Sequence, residues 1–304
     1  MQKPVTSAPR QTRLADMGVV RVQGADAVKF LQGQVSNDVA ELSAEFAVLA
    51  GLHNAQGRAI ALLRLVLASD DEVLAILPRE LASVVATRLA KFVLRAKVKV
   101  SDASLEWGIT GVEGAPVAGE MGIASIGAAR RDEDRSVWVC VGLMPERWLV
   151  MNPAGTHAAP PETMSRDEWR ALDIADGVPQ VYAATSEAFV AQMLNLDVVG
   201  GIAFDKGCYT GQEVIARAHY RGKVKRRMQR FQTTAAPNLK PGDSGTLGDG
   251  RSFKVVDAVQ LAHGGCEFLA VTTLGHASEE AAEETTNPAL LDARPLELPY
   301  SLPA

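Results

Sequence analysis

The chain has 304 residues, of which 47% are hydrophobic and 22% are charged, and its formal net charge is −5. This composition is typical of a soluble globular protein, and at about 100–200 residues per domain the length allows roughly two or three domains. The negative charge excludes a general electrostatic attraction to nucleic acid, so any RNA contact needs a local basic patch.

The cysteines and the apolar runs narrow the cellular setting. Cys140, Cys208 and Cys266 are odd in number and far apart, which excludes a disulfide framework and a metal site of closely spaced ligands. The N-terminal residues lack the apolar core of a signal peptide, and the most apolar run, residues 59–68, is interrupted by Arg64 and too short to span a bilayer. We therefore predict a cytoplasmic protein without membrane association, and we take a monomer as the default.

The first part of the chain has the pattern of a small α+β unit. The predicted elements are a strand at residues 19–23, a helix at 27–34, a turn at 53–58, a β-hairpin at 60–67 and 73–77, a helix at 81–94 and a strand at 98–100. Residues 111–135 are rich in glycine and alanine and predict loops or short edge strands.

The second part of the chain begins with predicted strands, and its residue pattern changes after Gly222. We predict strands at residues 137–143 and 148–151 and a helix at 166–175 that carries Trp169. After Gly222, short apolar runs alternate with glycine-rich and proline-rich turns, which predicts a small all-β domain.

The most informative segment is residues 206–213, with the sequence Lys-Gly-Cys-Tyr-Thr-Gly-Gln-Glu. Thr210 and Glu213 have the spacing of a capping box, which predicts a helix that begins there with its positive end toward Cys208. That helix end and the charge of Lys206 both favour the thiolate form of Cys208 and predict a reactive thiol. The alternative is a buried, inert cysteine in a tight turn.

Residues 206–217, Lys-Gly-Cys-Tyr-Thr-Gly-Gln-Glu-Val-Ile-Ala-Arg, resemble the signature of the YgfZ family. These proteins are folate-binding relatives of the glycine-cleavage aminomethyltransferase (T-protein), associated with iron–sulphur enzymes and tRNA modification. The resemblance continues in segments within residues 24–39, 169–179, 192–204 and 298–302, and it is almost absent from about residue 111 to residue 135.

The resemblance implies a T-protein-like α+β fold with three domains around a central folate cavity. A discontinuous folate-binding domain, residues 1–45 and 140–222, would carry the signature. An α+β domain at residues 46–139 would be inserted into it, and residues 223–304 would form a C-terminal β-barrel.

The resemblance also implies which residues bind the folate. Trp169 matches a tryptophan that lies against the folate, where an indole can stack on a pterin, although core packing is the default explanation. The partner tryptophan of the family falls at Met17, which offers a soft apolar wall instead of a second ring. Asp38 either presents a carboxylate to the pterin or caps a turn. The further folate-binding candidates are Tyr209, Gln212, Glu213, Arg217 and Arg221.

The favoured hypothesis is a protein that binds tetrahydrofolate, or a one-carbon derivative, and supports the assembly or repair of iron–sulphur enzymes, including a tRNA-modifying one. Cys208, with Lys206 beside it, is the predicted redox or transfer thiol. The alternative is a tetrahydrofolate-dependent aminomethyltransferase or a related one-carbon transferase. The carboxylate that this chemistry needs has no match at residues 81–83, and Glu80 is out of register, which argues against the alternative.

A second alternative is an accessory protein that binds tRNA directly. Six cations lie within ten residues and would suit tRNA phosphates or the glutamate tail of folate: Arg221, Lys223, Lys225, Arg226, Arg227 and Arg230. A solvated edge strand, whose charges discourage aggregation, is the favoured interpretation of the whole segment. Arg217 and Arg221 are stronger anion-binding candidates than Arg230.

Overall fold

The computed structural model describes residues 9–114, 125–156, 161–222, 224–235, 238–275 and 290–303. The chain divides into two compact units. The first unit consists of residues 1–30, 39–48 and 64–169, and the second of residues 31–38, 49–63 and 170–304.

The described residues contain both helices and strands. The helices are α1 (Ala27–Gln32), α2 (Arg79–Ala90), α3 (Arg166–Ala175) and α4 (Gln212–Arg221). The strands are β1 (Arg10–Arg13), β2 (Met17–Gln23), β3 (Val48–His53), β4 (Ala59–Ser69), β5 (Glu72–Pro78), β6 (Lys99–Asp102), β7 (Trp107–Glu113), β8 (Ala129–Arg131), β9 (Val137–Leu143), β10 (Glu146–Pro153), β11 (Arg226–Thr233), β12 (Ser244–Leu247), β13 (Ser252–Gln260), β14 (Cys266–Thr273), β15 (Leu290–Leu291) and β16 (Arg294–Leu296). Among the described residues, no helix has the length and apolar character needed to cross a membrane.

The first unit contains a five-stranded sheet in the order β1-β7-β10-β9-β8, and its pairings are antiparallel. Alternate residues of the middle strands point to one face, where Val112, Cys140, Trp148 and Val150 form a buried cluster. The predicted strands at residues 137–143 and 148–151 are confirmed as β9 and β10. In the glycine-rich region, β8 is the short edge strand that the sequence predicts.

The predicted hairpin is also confirmed, because β4 and β5 pair antiparallel with Arg64 opposite Ile76. In the first unit, β5, β2 and β6 follow Arg64–Ser69 of β4 in the sheet, and α2 packs against β2 and β6. The apolar stripe of α2 runs from Leu81 to Leu89 at helical spacing. The predicted extension to residue 94 is wrong. The helix ends at Ala90, and the apolar side chains of Phe92 and Leu94 are exposed beyond it.

The second unit contains a six-stranded sheet in the order β15-β12-β13-β14-β11-β16. Its core is built on aromatic side chains, with the rings of Phe231 and Phe268 stacked at 5.4 Å and Phe253 tilted against Phe268. The predicted all-β region after residue 222 is therefore confirmed. Its closure into a barrel and the predicted three-domain boundaries stay predictions.

Candidate functional site

The signature segment forms a loop in the second unit that ends at Gly211, and α4 begins at Gln212. Gly211 has a φ of 85°, and a Cβ at this position would lie 2.5 Å from the carbonyl oxygen of Asn54. Only glycine fits such a close left-handed turn. The predicted capping box is wrong, because Gly211 is the N-cap and no side chain caps the helix. Thr210 therefore lies outside the helix.

Lys206 ties the signature to residues 31–38 of the same unit. Its Nζ donates hydrogen bonds to the carbonyl oxygens of Gln32 at 2.8 Å, Val35 at 2.8 Å and Asn37 at 2.6 Å. Burial lowers the pKa of Lys206 to about 8, and the nearby Asp38 carboxylate opposes that shift. The three carbonyl groups use all the donors of the ammonium group, so Lys206 acts first as a structural tie. Its catalytic role stays a prediction.

Hydrogen bonds also fasten residues 31–38 to other segments of the second unit. Ser36 donates through Oγ to the carbonyl oxygen of Gly201 at 2.6 Å and accepts from the Gly51 amide at 2.8 Å. The side-chain amide of Asn37 donates to the carbonyl oxygens of Leu49 and Gly200, each at 2.8 Å. These contacts keep the acceptors of Lys206 in place.

Asp38 lies half-buried at the end of this loop. Its carboxylate accepts a hydrogen bond from the side-chain amide of Gln32 at 2.9 Å. The backbone amide of Asp38 in turn donates to the side-chain oxygen of Asn37 at 2.9 Å. The turn interpretation fits this geometry, and the predicted contact with a pterin stays a prediction.

His53 is a buried residue of the second unit that the sequence analysis placed only in a turn. Its side chain packs over Gly51, where a Cβ would collide with the imidazole ring, and neither ring nitrogen has a hydrogen-bond partner among the described residues. Burial lowers the pKa of His53 to about 4, and the carbonyl groups of Arg58 and Gly57 oppose that shift. The ring is therefore neutral and part of the interior.

Cys208 differs from the other cysteines in its exposure. Its side chain is exposed, whereas Cys140 and Cys266 are buried and burial raises the pKa of each of those thiols. Gly207 beside it also faces open space, since no atom would lie within 4 Å of a Cβ there. The interpretation of Cys208 as a buried cysteine is therefore wrong, and its reactivity stays a prediction.

The other predicted residues of the signature divide into a packed pair and an exposed group. Tyr209 is buried beneath the Lys206 ammonium, which lies 5.3 Å from its ring centre, and burial raises the pKa of Tyr209 to about 12. Gln212 donates to the carbonyl oxygen of Lys206 at 3.4 Å. The exposed group consists of Glu213, Arg217 and Arg221.

Two arginines of the basic segment lie inside ion pairs. Arg227 is buried and forms a two-pronged contact with Asp197 at 2.9 and 2.8 Å, while Arg230 contacts Glu267 at 2.6 Å. The edge-strand interpretation is wrong, because β11 pairs with β14 on one side and, from Arg230 to Gln232, with β16 on the other. Lys223 lies outside the described residues.

Trp169 belongs to the first unit and is enclosed there, with only 4% of its surface exposed. The guanidinium group of Arg147 lies 4.8 Å from its ring centre. A Cβ at Gly111 would lie 2.6–2.7 Å from three ring atoms, so the indole packs directly on β7. A pterin would have to displace one of these neighbours to stack on Trp169, and its predicted folate contact stays a prediction.

Met17 lies half-buried at the start of β2 and lines a cavity of about 310 Å³ within the first unit. The guanidinium-bearing residues Arg13 and Arg79 also line it, and both are exposed. Trp107 forms another part of the wall. It is 6% exposed, and its indole N–H has no hydrogen-bond partner within the described part of the chain.

Sequence reasoning did not select Trp107. Strand register explains why Met17 and Arg79 line the same cavity, because Met17 pairs with Pro78, which directly precedes Arg79 at the start of α2. The sequence pattern predicts no element at residues 101–110, and a tryptophan at the start of a strand does not distinguish a cavity wall from a core.

No protein-family model matches the chain. The chain is 32% identical over 275 residues to the tRNA-modifying protein YgfZ of Edwardsiella ictaluri (strain 93-146), a match that covers 85% of this chain and 83% of that protein. It is 31% identical over 268 residues to the tRNA-modifying protein YgfZ of Klebsiella pneumoniae (strain 342), covering 83% and 81%. The chain belongs to the YgfZ family.

The fold of this YgfZ-family chain is similar to that of a solved T-protein. The aminomethyltransferase T of the glycine cleavage system from Bartonella henselae superposes with a TM-score of 0.67 and 14% sequence identity, covering 88% of this chain and 79% of that one. The predicted T-protein-like fold is thereby confirmed at the level of overall architecture, and nothing about activity follows from it.

Proposed function

We propose that this YgfZ-family protein binds a reduced folate and supports iron–sulphur enzymes, including one that modifies tRNA. The observation that carries the proposal is Cys208, an exposed thiol on a loop that Lys206 fastens to residues 31–38. A thiol that must meet a partner protein needs exposure together with a fixed backbone. The relatives' name, tRNA-modifying protein, supports the choice of partner.

The cavity of the first unit supports the folate part of the proposal. Met17 offers an apolar wall. The orphaned N–H of Trp107 is itself buried, so it donates to an acceptor atom of a pterin only if the indole turns toward the cavity. Arg13 and Arg79 supply positive charge for the carboxylates of the glutamate tail. Reduced folate would supply one-carbon chemistry at its ring nitrogens. The folate contacts inferred for Trp169, Asp38, Tyr209, Gln212, Glu213, Arg217 and Arg221 remain part of the proposal.

Calorimetric titration with tetrahydrofolate tests the folate part. We expect saturable binding that weakens when Arg79 is changed to Gln, with Arg88→Gln on the same helix as the matched control. Absence of binding by the parent protein would contradict the folate role. Equal affinity in Arg79→Gln and the parent would move the site away from this cavity.

Genetic complementation tests the thiol part. In cells that lack the chromosomal copy, we expect the Cys208→Ala variant to accumulate at the parent level yet fail to restore tRNA modification. Cys208→Ser separates the need for sulphur from the need for a small polar group. Full restoration by Cys208→Ala would remove Cys208 from the mechanism, whereas restoration by Cys208→Ser alone would show that a small polar group suffices.

The runner-up function, an aminomethyltransferase, has the fold likeness in its favour. Where the required carboxylate would be expected, α2 presents buried Leu81 and Ala82 and exposed Ser83. An assay with tetrahydrofolate and aminomethylated lipoyl carrier protein discriminates, and turnover above background would favour the runner-up.

A further inference from the structure

Three aromatic side chains contact one another near the C-terminal end of α4. The rings of Phe204 and His219 stack with centres 3.8 Å apart and planes 19° from parallel. Tyr220 meets both edge-on, at 4.8 Å from His219 and 6.1 Å from Phe204. We call Phe204, His219 and Tyr220 the aromatic cluster.

The aromatic cluster is not explained by core packing. Tyr220 is 68% exposed, His219 is exposed and Phe204 is half-buried. A hydrophobic core would enclose such rings, and scattered surface aromatics would not stack on one another. The three rings therefore form a preassembled aromatic surface that is open to solvent, with the Tyr220 ring steeply inclined to the stacked pair.

Positive charge lies beside this surface. Arg217 precedes Tyr220 by three residues and Arg221 by four, so helical spacing places the three side chains on neighbouring positions of one face of α4. Both arginines are exposed, and so is Lys225, which lies four residues beyond the helix. The carboxylates nearest to these residues in the sequence are Glu213, one turn before Arg217, and Asp205, next to Phe204.

We propose that the aromatic cluster, with Arg217 and Arg221, binds single-stranded RNA. An unpaired base stacks on Tyr220, and the adjacent phosphates bind the two guanidinium groups. Aromatic rings interleaved with cations are the combination that binds single strands, because every base has a face to stack and every nucleotide a phosphate. Duplex RNA hides its base faces, so it lacks the stacking partner. The choice of RNA as the ligand rests on the proposed function.

Fluorescence anisotropy with a labelled single-stranded oligoribonucleotide tests the proposal at several salt concentrations. We expect Tyr220→Leu to weaken binding by about 5- to 100-fold with an unchanged salt slope, since stacking is lost and no charge is removed. Tyr220→Phe keeps the ring and should bind like the parent. Arg217→Gln should reduce the slope of log K against log salt by about 0.7. Lys240→Gln, an exposed cation elsewhere in the second unit, is the matched control.

Three results would overturn the proposal: no binding by the parent, equal affinity for a duplex, or parent-like affinity in Tyr220→Leu. Circular dichroism of Tyr220→Leu shows that the variant is folded, which its exposed position leads us to expect. Tetrahydrofolate titration of the same variant separates the two ideas. If the parent binds tetrahydrofolate but not RNA, the RNA-binding proposal is wrong and the folate role stands. If the parent binds RNA but not tetrahydrofolate, only the folate role is wrong.

Discussion

Trp169 and Trp107 lie in the same unit and are almost equally buried, and of the two only Trp107 lines the cavity described above. Trp169 is enclosed by Arg147 and the strand at Gly111, whereas the N–H of Trp107 has no partner in the described residues. The signature of the second unit contains a similar contrast. The ammonium group of Lys206 donates its hydrogen bonds to backbone carbonyl groups, while Cys208 two residues later is exposed. Enclosed or tied residues and residues beside a cavity or solvent thus lie close together.

The largest expected effect belongs to the enclosed tryptophan. Trp169→Ala should lower the free energy of unfolding by about 3–5 kcal/mol, because it leaves a large cavity in packed protein. Chemical denaturation measures this change. A loss below about 1 kcal/mol, together with abolished folate binding, would reverse the contrast and make Trp169 the ligand-facing ring.

A pH effect of somewhat smaller size should come from the interior of the second unit. The pKa of His53 is lowered to about 4 in the folded protein and lies near 6.5 in the unfolded chain. Between these values the unfolded state binds a proton that the folded state does not, so stability falls as the pH drops from 6.5 to 4, by about 3 kcal/mol in total. Denaturation curves of the parent and His53→Leu across this window check it. Equal pH slopes would show that the ring is hydrated and titrates normally.

Lys206→Met should cost about 2 kcal/mol, since three carbonyl groups lose a charged donor. Lys240→Met, at an exposed position, should change stability by less than about 0.5 kcal/mol. Urea denaturation compares them. If both variants match the parent, the tie to residues 31–38 does not hold the signature.

The smallest expected effect concerns Trp107, the tryptophan that lines the cavity. Trp107→Phe removes only the orphaned N–H and keeps an apolar ring, so stability should stay within about 0.5 kcal/mol of the parent. If that N–H meets a folate acceptor, tetrahydrofolate affinity should fall by about 2- to 10-fold. Calorimetry of the variant decides, and an unchanged affinity would leave Trp107 as a wall without a polar role.

Much of the fold could be predicted, because periodicity in apolar residues is a local signal. The hairpin of β4 and β5 and the helix α3 follow from such patterns alone. The end of α2 could not be placed, since Phe92 and Leu94 continue the apolar composition without continuing the buried stripe. Composition does not reveal where a side chain meets solvent.

The site was predictable only where one short segment carries it. The sequence of residues 206–213 identified Cys208 as a candidate, and the thiol is exposed. The partners of Lys206 lie about 170 residues earlier in the chain, with separations of 169, 171 and 174, and no local pattern announces backbone acceptors at that distance. The ion pair of Arg227 could not be predicted for the same reason, because its partner Asp197 lies in another segment of the chain.

The unequal exposure of the three cysteines has a practical consequence for spectroscopy. Because Cys140 and Cys266 are buried, a maleimide fluorophore or nitroxide added to the unmodified protein should attach at Cys208 alone. The native chain thus carries its own labelling position, within the signature, and a probe there would report the approach of a client protein without any engineered background.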